Sequence, residues 1–228
     1  HAAGRYLALY EEWIGPYPFH QFSIVENFFP TGYGFPSYTL LGSTVIRLPF
    51  ILETSLGHEI AHCWWGNGVR VDYRQGNWCE GLTTYLADHW YKERVSPQEG
   101  REYRLQILRN FTTLVTPDKD FPLSQFKGRY DPSSQAIGYG KAAMVFHMVR
   151  RAIGDQAFWD GLRDVFKDKL FKEASWKDFQ IAFERRAGLS LESFFEQWIF
   201  RKGAPRLRLQ SPSRDKEGGA WAVSGTFL

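Results

Sequence analysis

The chain has 228 residues, of which 43% are hydrophobic and 23% charged, a composition typical of a folded protein with a buried core. A net charge of +3 is too small to favour a nucleic-acid partner, and no apolar run is long enough to predict a membrane span. Two cysteines do not make a disulfide framework, and the sequence assigns no cellular compartment.

The first part of the chain predicts one helix and a small sheet. Apolar positions recur at helical spacing over 2–14, and Gly15-Pro16 ends that helix. The segment 22–29 predicts a short strand, which a glycine- and proline-rich turn at 29–38 follows. The β-branched and apolar segment 39–48 predicts one or two further strands of the same sheet.

The middle of the chain predicts three helices and one short strand. A helix over about 52–65 is followed by a strand or hairpin arm at 69–74. Helical patterns then cover 80–95 and 97–114, and the proline-containing segment 116–134 predicts a loop.

The last part of the chain is predicted to be almost wholly helical up to about residue 201. Alternating residues at 205–210 and 220–228 then predict a hairpin around a polar turn. We therefore predict an α+β fold, with one domain at 1–204 and the start of an incomplete β-domain at 205–228. The predicted helices cover 139–153, 155–171, 175–187 and 190–201.

The segment HEIAH at 58–62 is a candidate zinc-binding motif. His58 and His62 lie four residues apart, so on a helix their imidazoles point to the same side. Two such histidines can bind one zinc ion, and Glu59 between them could take a proton from a water that the metal activates. The alternative is a helix with two packed or exposed histidines.

A zinc site of this kind needs a third protein ligand, and Glu80 is the best candidate. It begins a predicted helix 18 residues after His62, where its carboxylate can face back towards the first helix. A glutamate at a helix start is also favoured by the helix dipole alone. Because the histidine motif precedes Glu80 at this spacing, we prefer to interpret Glu80 as a zinc ligand.

The two cysteines flank the candidate ligands. Cys63 is one residue past His62, about 100° round the helix and away from the metal side, and Cys79 precedes Glu80. We expect both to be packed thiols, with a disulfide between them as the alternative and a metal role less favoured still.

Three segments together resemble the aminopeptidase N-like family of gluzincin zinc metallopeptidases. HEIAHCWWGN contains the family's H-E-x-x-H-x-W-x-G-N pattern, EGLTTY carries the expected third ligand, and GYGKAAMVFHMV at 138–149 resembles the family's tyrosine motif. GPYPF at 15–19 and the segment 189–209 are also similar to the family. The resemblance therefore extends over about residues 5–209.

The resemblance implies a thermolysin-like catalytic domain of a longer parent chain, acting on a peptide substrate with one bound zinc ion. It implies a small N-terminal sheet followed by a mostly helical lobe. Tyr139 would be the catalytic tyrosine that stabilises the oxyanion, and Gly32, Tyr33 and Gly34 would border the substrate. The other domains of the parent chain would be its partners.

Two positions depart from the family pattern. The residue before the third ligand is Cys79, where family members usually have asparagine. The family's G-A-M-E-N loop, whose glutamate holds a substrate amino terminus, aligns with 32–36, and no glutamate lies there. Glu26-Asn27 could be a shifted substitute, but we assign it to the preceding strand. We therefore expect a metallopeptidase, most simply aminopeptidase-like, with an endopeptidase or a catalytically weak zinc-binding module as alternatives.

Overall fold

A three-stranded sheet lies beside the predicted metal helix in the computed structural model, which describes residues 2–30, 32–48, 50–53, 55–204, 208–217 and 220–227. Its strands are β1 (Ser23–Asn27), β2 (Gly32–Phe35) and β3 (Tyr38–Gly42). Their order is β1-β3-β2, with β3 parallel to β1 and antiparallel to β2. The edge strand β2 therefore contacts the next helix.

Two details of this sheet differ from the sequence prediction. The segment 29–38 was predicted as a turn only, but β2 occupies its centre and pairs Gly34 with Thr39. Two glycines in four residues weaken any strand signal, whereas pairing with β3 and packing on the helix stabilise the strand. The strand predicted over 39–48 ends at Gly42, and a 3₁₀ turn covers Val45–Arg47.

The metal helix α2 spans Ser55–Ala61, shorter than the predicted 52–65. The amide of His62 still donates to the His58 carbonyl at 3.2 Å, so His62 continues the helical turn. Helix α1 (Ala2–Trp13) packs against α2, and the hydroxyl of Tyr10 donates to the Gly57 carbonyl at 3.0 Å. This contact fixes α2 from the side opposite the sheet.

The rest of the described chain up to residue 204 is mainly helical, as predicted. Two short strands, β4 (Arg70–Val71) and β5 (Glu173–Ala174), pair in parallel and tie the middle of the chain to its end. The helices are α3 (Cys79–Thr83), α4 (Trp90–Val95), α5 (Pro97–Leu114), α6 (Pro132–Gln135), α7 (Ala142–Ile153), α8 (Asp155–Lys169), α9 (Trp176–Ala187) and α10 (Glu192–Phe195).

Three π-helical turns lengthen these helices at Thr84–His89, Ala136–Lys141 and Glu196–Phe200. The first joins α3 to α4, and the second joins α6 to α7. The helix predicted to begin at 139 therefore begins at Pro132, where Asp131 caps it through the Ser134 amide. Turns of this type are frequent at functional sites, and two of these three carry residues of the candidate site.

Tryptophan and phenylalanine side chains fill the core between the helices. Trp65 packs edge-on to Trp78 with ring centroids 6.0 Å apart, and both contact Phe179 of α9. Trp64 is fully buried and donates to the Gly15 carbonyl at 2.8 Å. The aromatic residues that follow the histidine motif therefore anchor α2 in the core.

The chain ends in an antiparallel hairpin of β6 (Leu209–Glu217) and β7 (Ala220–Phe227). Most of the residues predicted as a polar turn belong to β6, and 205–207 of the predicted first strand lie outside the described residues. The boundary between domains at 204 and 205 stays a prediction. No described helix is long and apolar enough to cross a membrane.

Candidate metal centre and active site

Three predicted ligand atoms meet at one point between α2 and α3. Nε2 of His58 lies 3.4 Å from Oε2 of Glu80, and Nε2 of His62 lies 3.5 Å from the same oxygen. The three atoms all lie within 4.8 Å of one another. The Glu80 carboxylate, in the first turn of α3, thus faces both histidines.

These distances fit a tetrahedral zinc ion. Ligand atoms roughly 2.0 to 2.2 Å from zinc are roughly 3.3 to 3.6 Å apart at tetrahedral angles. Two imidazoles and one carboxylate are a donor set that zinc accepts, with a fourth position left for water or substrate. Among the described residues, this is the one group of three histidine, cysteine or acidic side chains with such spacing.

The other ring nitrogen of each histidine is held by the protein. Nδ1 of His58 lies 2.8 Å from a carboxylate oxygen of Asp88, and Nδ1 of His62 lies 3.0 Å from the Trp65 carbonyl. Both partners accept a hydrogen bond, so both Nδ1 atoms carry the proton and both Nε2 atoms present a lone pair. Such partners orient metal-binding histidines and raise their basicity.

Sequence reasoning did not identify Asp88 or the Trp65 carbonyl. Asp88 lies in the π-helical turn Thr84–His89, eight residues after Glu80 and on the same continuous helix. Its position about two helical turns beyond the third ligand could have indicated from the sequence that it faces the metal site. The Trp65 carbonyl is a backbone group and gives no signal in the sequence.

The carboxylates of the site control its protonation. Burial would lower the pKa of His58, but Asp88 and Glu80 outweigh burial and raise that pKa well above its usual value. Burial would raise the pKa of Glu80, but His62 and His58 outweigh it and lower that pKa. The site is therefore an anionic pocket that favours a cation between its ligands.

Glu59 lies beside the ligands and against the edge strand. A Cβ added at Gly32 would come 2.6 Å from Oε1 of Glu59, so the glycine makes room for this carboxylate. Burial raises the pKa of Glu59, while His58 and His62 oppose that rise. The residue predicted as general base is therefore buried beside the metal point with a raised proton affinity.

The predicted substrate segment forms one wall of the cleft. Gly32, Tyr33 and Gly34 line a cavity of about 800 Å³ together with the candidate ligands. The amide of Asn67 donates to the Gly34 carbonyl at 3.3 Å and ties this strand to the end of the histidine motif. Glu26 is on β1, pairs with Arg47 at 2.6 Å and is not among the described residues that line the cavity.

Tyr139 lines the same cavity beside His58. Its ring is parallel to that of His58, with centroids 6.2 Å apart and an interplanar angle of 10°. Burial and the neighbouring Glu80 carboxylate raise its pKa, so the hydroxyl keeps its proton at neutral pH. Tyr139 lies in the π-helical turn Ala136–Lys141, where buried Lys141 donates to the Gly203 carbonyl at 3.2 Å.

The cysteines are packed thiols and form no disulfide. Cys63 is fully buried and accepts a hydrogen bond from the Tyr17 hydroxyl at 3.7 Å. Burial raises its pKa to about 11 and raises that of Cys79 well above its usual value, so both are protonated at neutral pH. The expectation of buried thiols is confirmed.

A comparison with protein families identifies the class. A model of the peptidase family M1 domain matches residues 52–198, which contain every candidate ligand together with Glu59 and Tyr139. The chain belongs to this family. The predicted membership in the aminopeptidase N-like family of gluzincin zinc metallopeptidases is confirmed. Zinc is the metal that this family implies.

Curated relatives are much longer than this chain. Mitochondrial aminopeptidase 2 of Saccharomyces cerevisiae is 25% identical over 181 residues, which cover 76% of this chain and 19% of the relative. Aminopeptidase N of Lactococcus lactis is 25% identical over 157 residues, which cover 66% of this chain and 18% of the relative. The chain spans about a fifth of the length of these relatives.

Solved structures share the fold. The M1 zinc metallopeptidase from Deinococcus radiodurans superposes with a TM-score of 0.72 at 22% identity, over 90% of this chain and 45% of that chain. Native yeast LTA4 hydrolase superposes with a TM-score of 0.66 at 19% identity, over 90% of this chain and 35% of that chain. The predicted α+β metallopeptidase fold is confirmed.

Proposed function

We propose that this chain is the catalytic domain of a zinc-dependent, aminopeptidase-like hydrolase that cleaves peptide bonds. The observation that carries this proposal is the convergence of three ligand atoms from His58, His62 and Glu80. Glu59 and Tyr139 line the same cavity as these ligands. The family membership supports the same conclusion.

His58, His62 and Glu80 would hold one zinc ion, which supplies a Lewis acid for the scissile carbonyl and lowers the pKa of water. Asp88 and the Trp65 carbonyl accept hydrogen bonds from the two Nδ1 atoms and so aim the two Nε2 atoms at the ion. Glu80 stays ionised because both histidines lower its pKa.

Glu59 is proposed as general base and then general acid. Its carboxylate takes a proton from the attacking water and passes it to the amine that leaves. A buried carboxylate with a raised pKa accepts a proton more readily than an exposed one, which suits this transfer. Gly32 leaves the carboxylate space next to the substrate strand.

Tyr139 is proposed to stabilise the oxyanion of the tetrahedral intermediate. Its hydroxyl is a neutral donor at pH 7, because burial and Glu80 keep its pKa raised. A neutral donor that lines the cavity beside the ligands can stabilise the negative charge that develops in the transition state.

The strand β2 is proposed to align the substrate. It is an edge strand of the described sheet, so an extended peptide can pair along its outer side as an added strand. Gly32 and Gly34 let β2 lie close to Glu59 and His62, and Tyr33, which is 50% exposed, offers an aromatic surface. These three residues line the cavity beside the ligands.

Two alternatives follow from specific observations. The segment 32–36 has no glutamate, which favours an endopeptidase or a peptidase that does not hold a free amino terminus. A catalytically weak zinc-binding module is the alternative from another class. It is disfavoured by the buried position of Glu59 and by the presence of Tyr139 in the same cavity lining.

The test combines zinc content with hydrolysis of matched peptides that have a free or a blocked amino terminus. The purified protein should bind zinc and cleave the unblocked peptide. Glu59→Gln should keep its zinc and lose about 10²- to 10⁴-fold in kcat, the range for removal of a general base. Faster cleavage of the blocked peptide would favour the endopeptidase, and zinc binding without any hydrolysis would favour the binding module.

A further inference from the structure

Two of the three carboxylates that line the described part of the cleft are engaged by histidines. Oε2 of Glu80 faces both ligand histidines, and a carboxylate oxygen of Asp88 lies 2.8 Å from His58. The third carboxylate, that of Glu59, is buried beside the ligands and is the proposed general base. Each acidic side chain in the described cleft lining is therefore assigned to the metal site or to proton transfer.

One cation in the same lining is uncommitted. Arg129 lies in the connection between α5 and α6, lines the cleft with Tyr139 and is exposed. No described residue forms an ion pair or a side-chain hydrogen bond with its guanidinium. The nearest acidic residue along the chain, Asp131, accepts from the Ser134 amide at 2.7 Å as the cap of α6.

The position of Arg129 relates it to the reaction site. Arg129 and Tyr139 line the same cavity as the candidate ligands, so the guanidinium borders the space in which a substrate would lie. Arg129 is exposed to the cavity, so its donors are accessible to a bound molecule. Arginine presents planar, paired donors that match a carboxylate.

We propose that Arg129 is a specificity-determining residue that binds a carboxylate of the peptide substrate. This inference rests on the proposed function and adds the substrate class, namely peptides with an anionic group near the scissile bond. The carboxylate could be the C-terminus of a short peptide or the side chain of an acidic residue. Both present the same two oxygens to the guanidinium.

The experiment compares matched peptides with the zinc-loaded protein. One pair differs only in a C-terminal carboxylate or carboxamide, and a second pair has aspartate or asparagine beside the scissile bond. We expect kcat/KM to be on the order of tenfold higher for the anionic member of one pair, and the difference to arise mainly from a lower KM. This is the size expected for one exposed charge-assisted hydrogen bond. The pair that shows the preference identifies the source of the carboxylate.

Variants then assign the preference to Arg129. Arg129→Gln should bring the ratio within the preferred pair to about one, and Arg129→Lys should restore part of it. Arg109→Gln is the matched control, because it removes an exposed arginine of α5 that does not line the cleft. It should leave the ratio unchanged. Equal rates within both pairs, or an unchanged ratio in Arg129→Gln, would overturn the proposal.

A binding measurement separates this inference from the proposed function. In zinc-loaded Glu59→Gln, calorimetry with the same peptides should show tighter binding of the anionic member, and Arg129→Gln added to this variant should abolish the difference. This outcome supports the inference even if the parent protein hydrolyses neither peptide, a result that would overturn only the proposed activity. Equal affinities would overturn the inference.

Discussion

The hydrogen bond between Asp88 and His58 should control how tightly the site binds zinc. The two atoms lie 2.8 Å apart, and Asp88 is the first cause that raises the pKa of His58 against burial. Asp88→Ala removes both the acceptor and the charge, whereas Asp88→Asn keeps an acceptor oxygen and removes only the charge. The pair of variants therefore separates orientation from electrostatics.

The expected loss of zinc affinity follows from this geometry. Loss of the partner that orients a metal-binding histidine weakens metal affinity about 10- to 100-fold, which is about 1.4 to 2.7 kcal/mol. Asp88→Ala should lie near the upper end of this range and Asp88→Asn near the lower end. Asp118→Asn, which changes an exposed loop carboxylate outside the cleft lining, is the matched control.

The assay is a competition titration with a chromogenic zinc chelator at two pH values. Asp88 also stabilises protonated His58, so protons compete with zinc more strongly in the parent protein as the pH falls. The difference in affinity between the parent and Asp88→Asn should therefore be smaller at pH 6 than at pH 8. Unchanged affinity in Asp88→Ala would refute the proposed role of this hydrogen bond.

Further predictions concern three residues that line the cleft. Tyr139→Phe should lower kcat about 10²- to 10³-fold, as for loss of one oxyanion donor, while zinc content stays the same; lost zinc would place Tyr139 in another role. Gly32→Ala would bring a Cβ to 2.6 Å from Oε1 of Glu59, so it should reduce hydrolysis by displacing that carboxylate while the melting temperature changes little. Gly34→Ala would bring a Cβ to 2.7 Å from the Cβ of His62, so it should lower the free energy of unfolding by about 1 to 3 kcal/mol in a denaturant titration. Equal stability of the two glycine variants would contradict the packing of β2 on α2.

The parts of the site that depend on helical spacing could be predicted from the sequence. His58 and His62 are one helical turn apart, so their convergence needs only a helix, and the structure has that helix. Glu80 lies in the first turn of the next helix, which begins one residue before the predicted start, at Cys79. The helical lobe follows from the same periodicity.

The parts that depend on tertiary packing could not be predicted. The strand β2 is stabilised by β3 and α2, while its own glycines indicate only a turn. Asp88 reaches His58 from a π-helical turn, which hydrophobic periodicity does not indicate. Arg129 lies in a connection that the sequence predicts as a loop, and only the fold places it in the cleft.

The most direct test of the central claim is a crystal structure of the zinc-loaded protein with anomalous data at the zinc edge. We predict a single peak at bonding distance, about 2.0 to 2.2 Å, from Nε2 of His58, Nε2 of His62 and an oxygen of Glu80. Glu59 should lie beside the peak without binding it. A peak at another place, a second peak in the cleft, or direct coordination by Glu59 would contradict the proposed site.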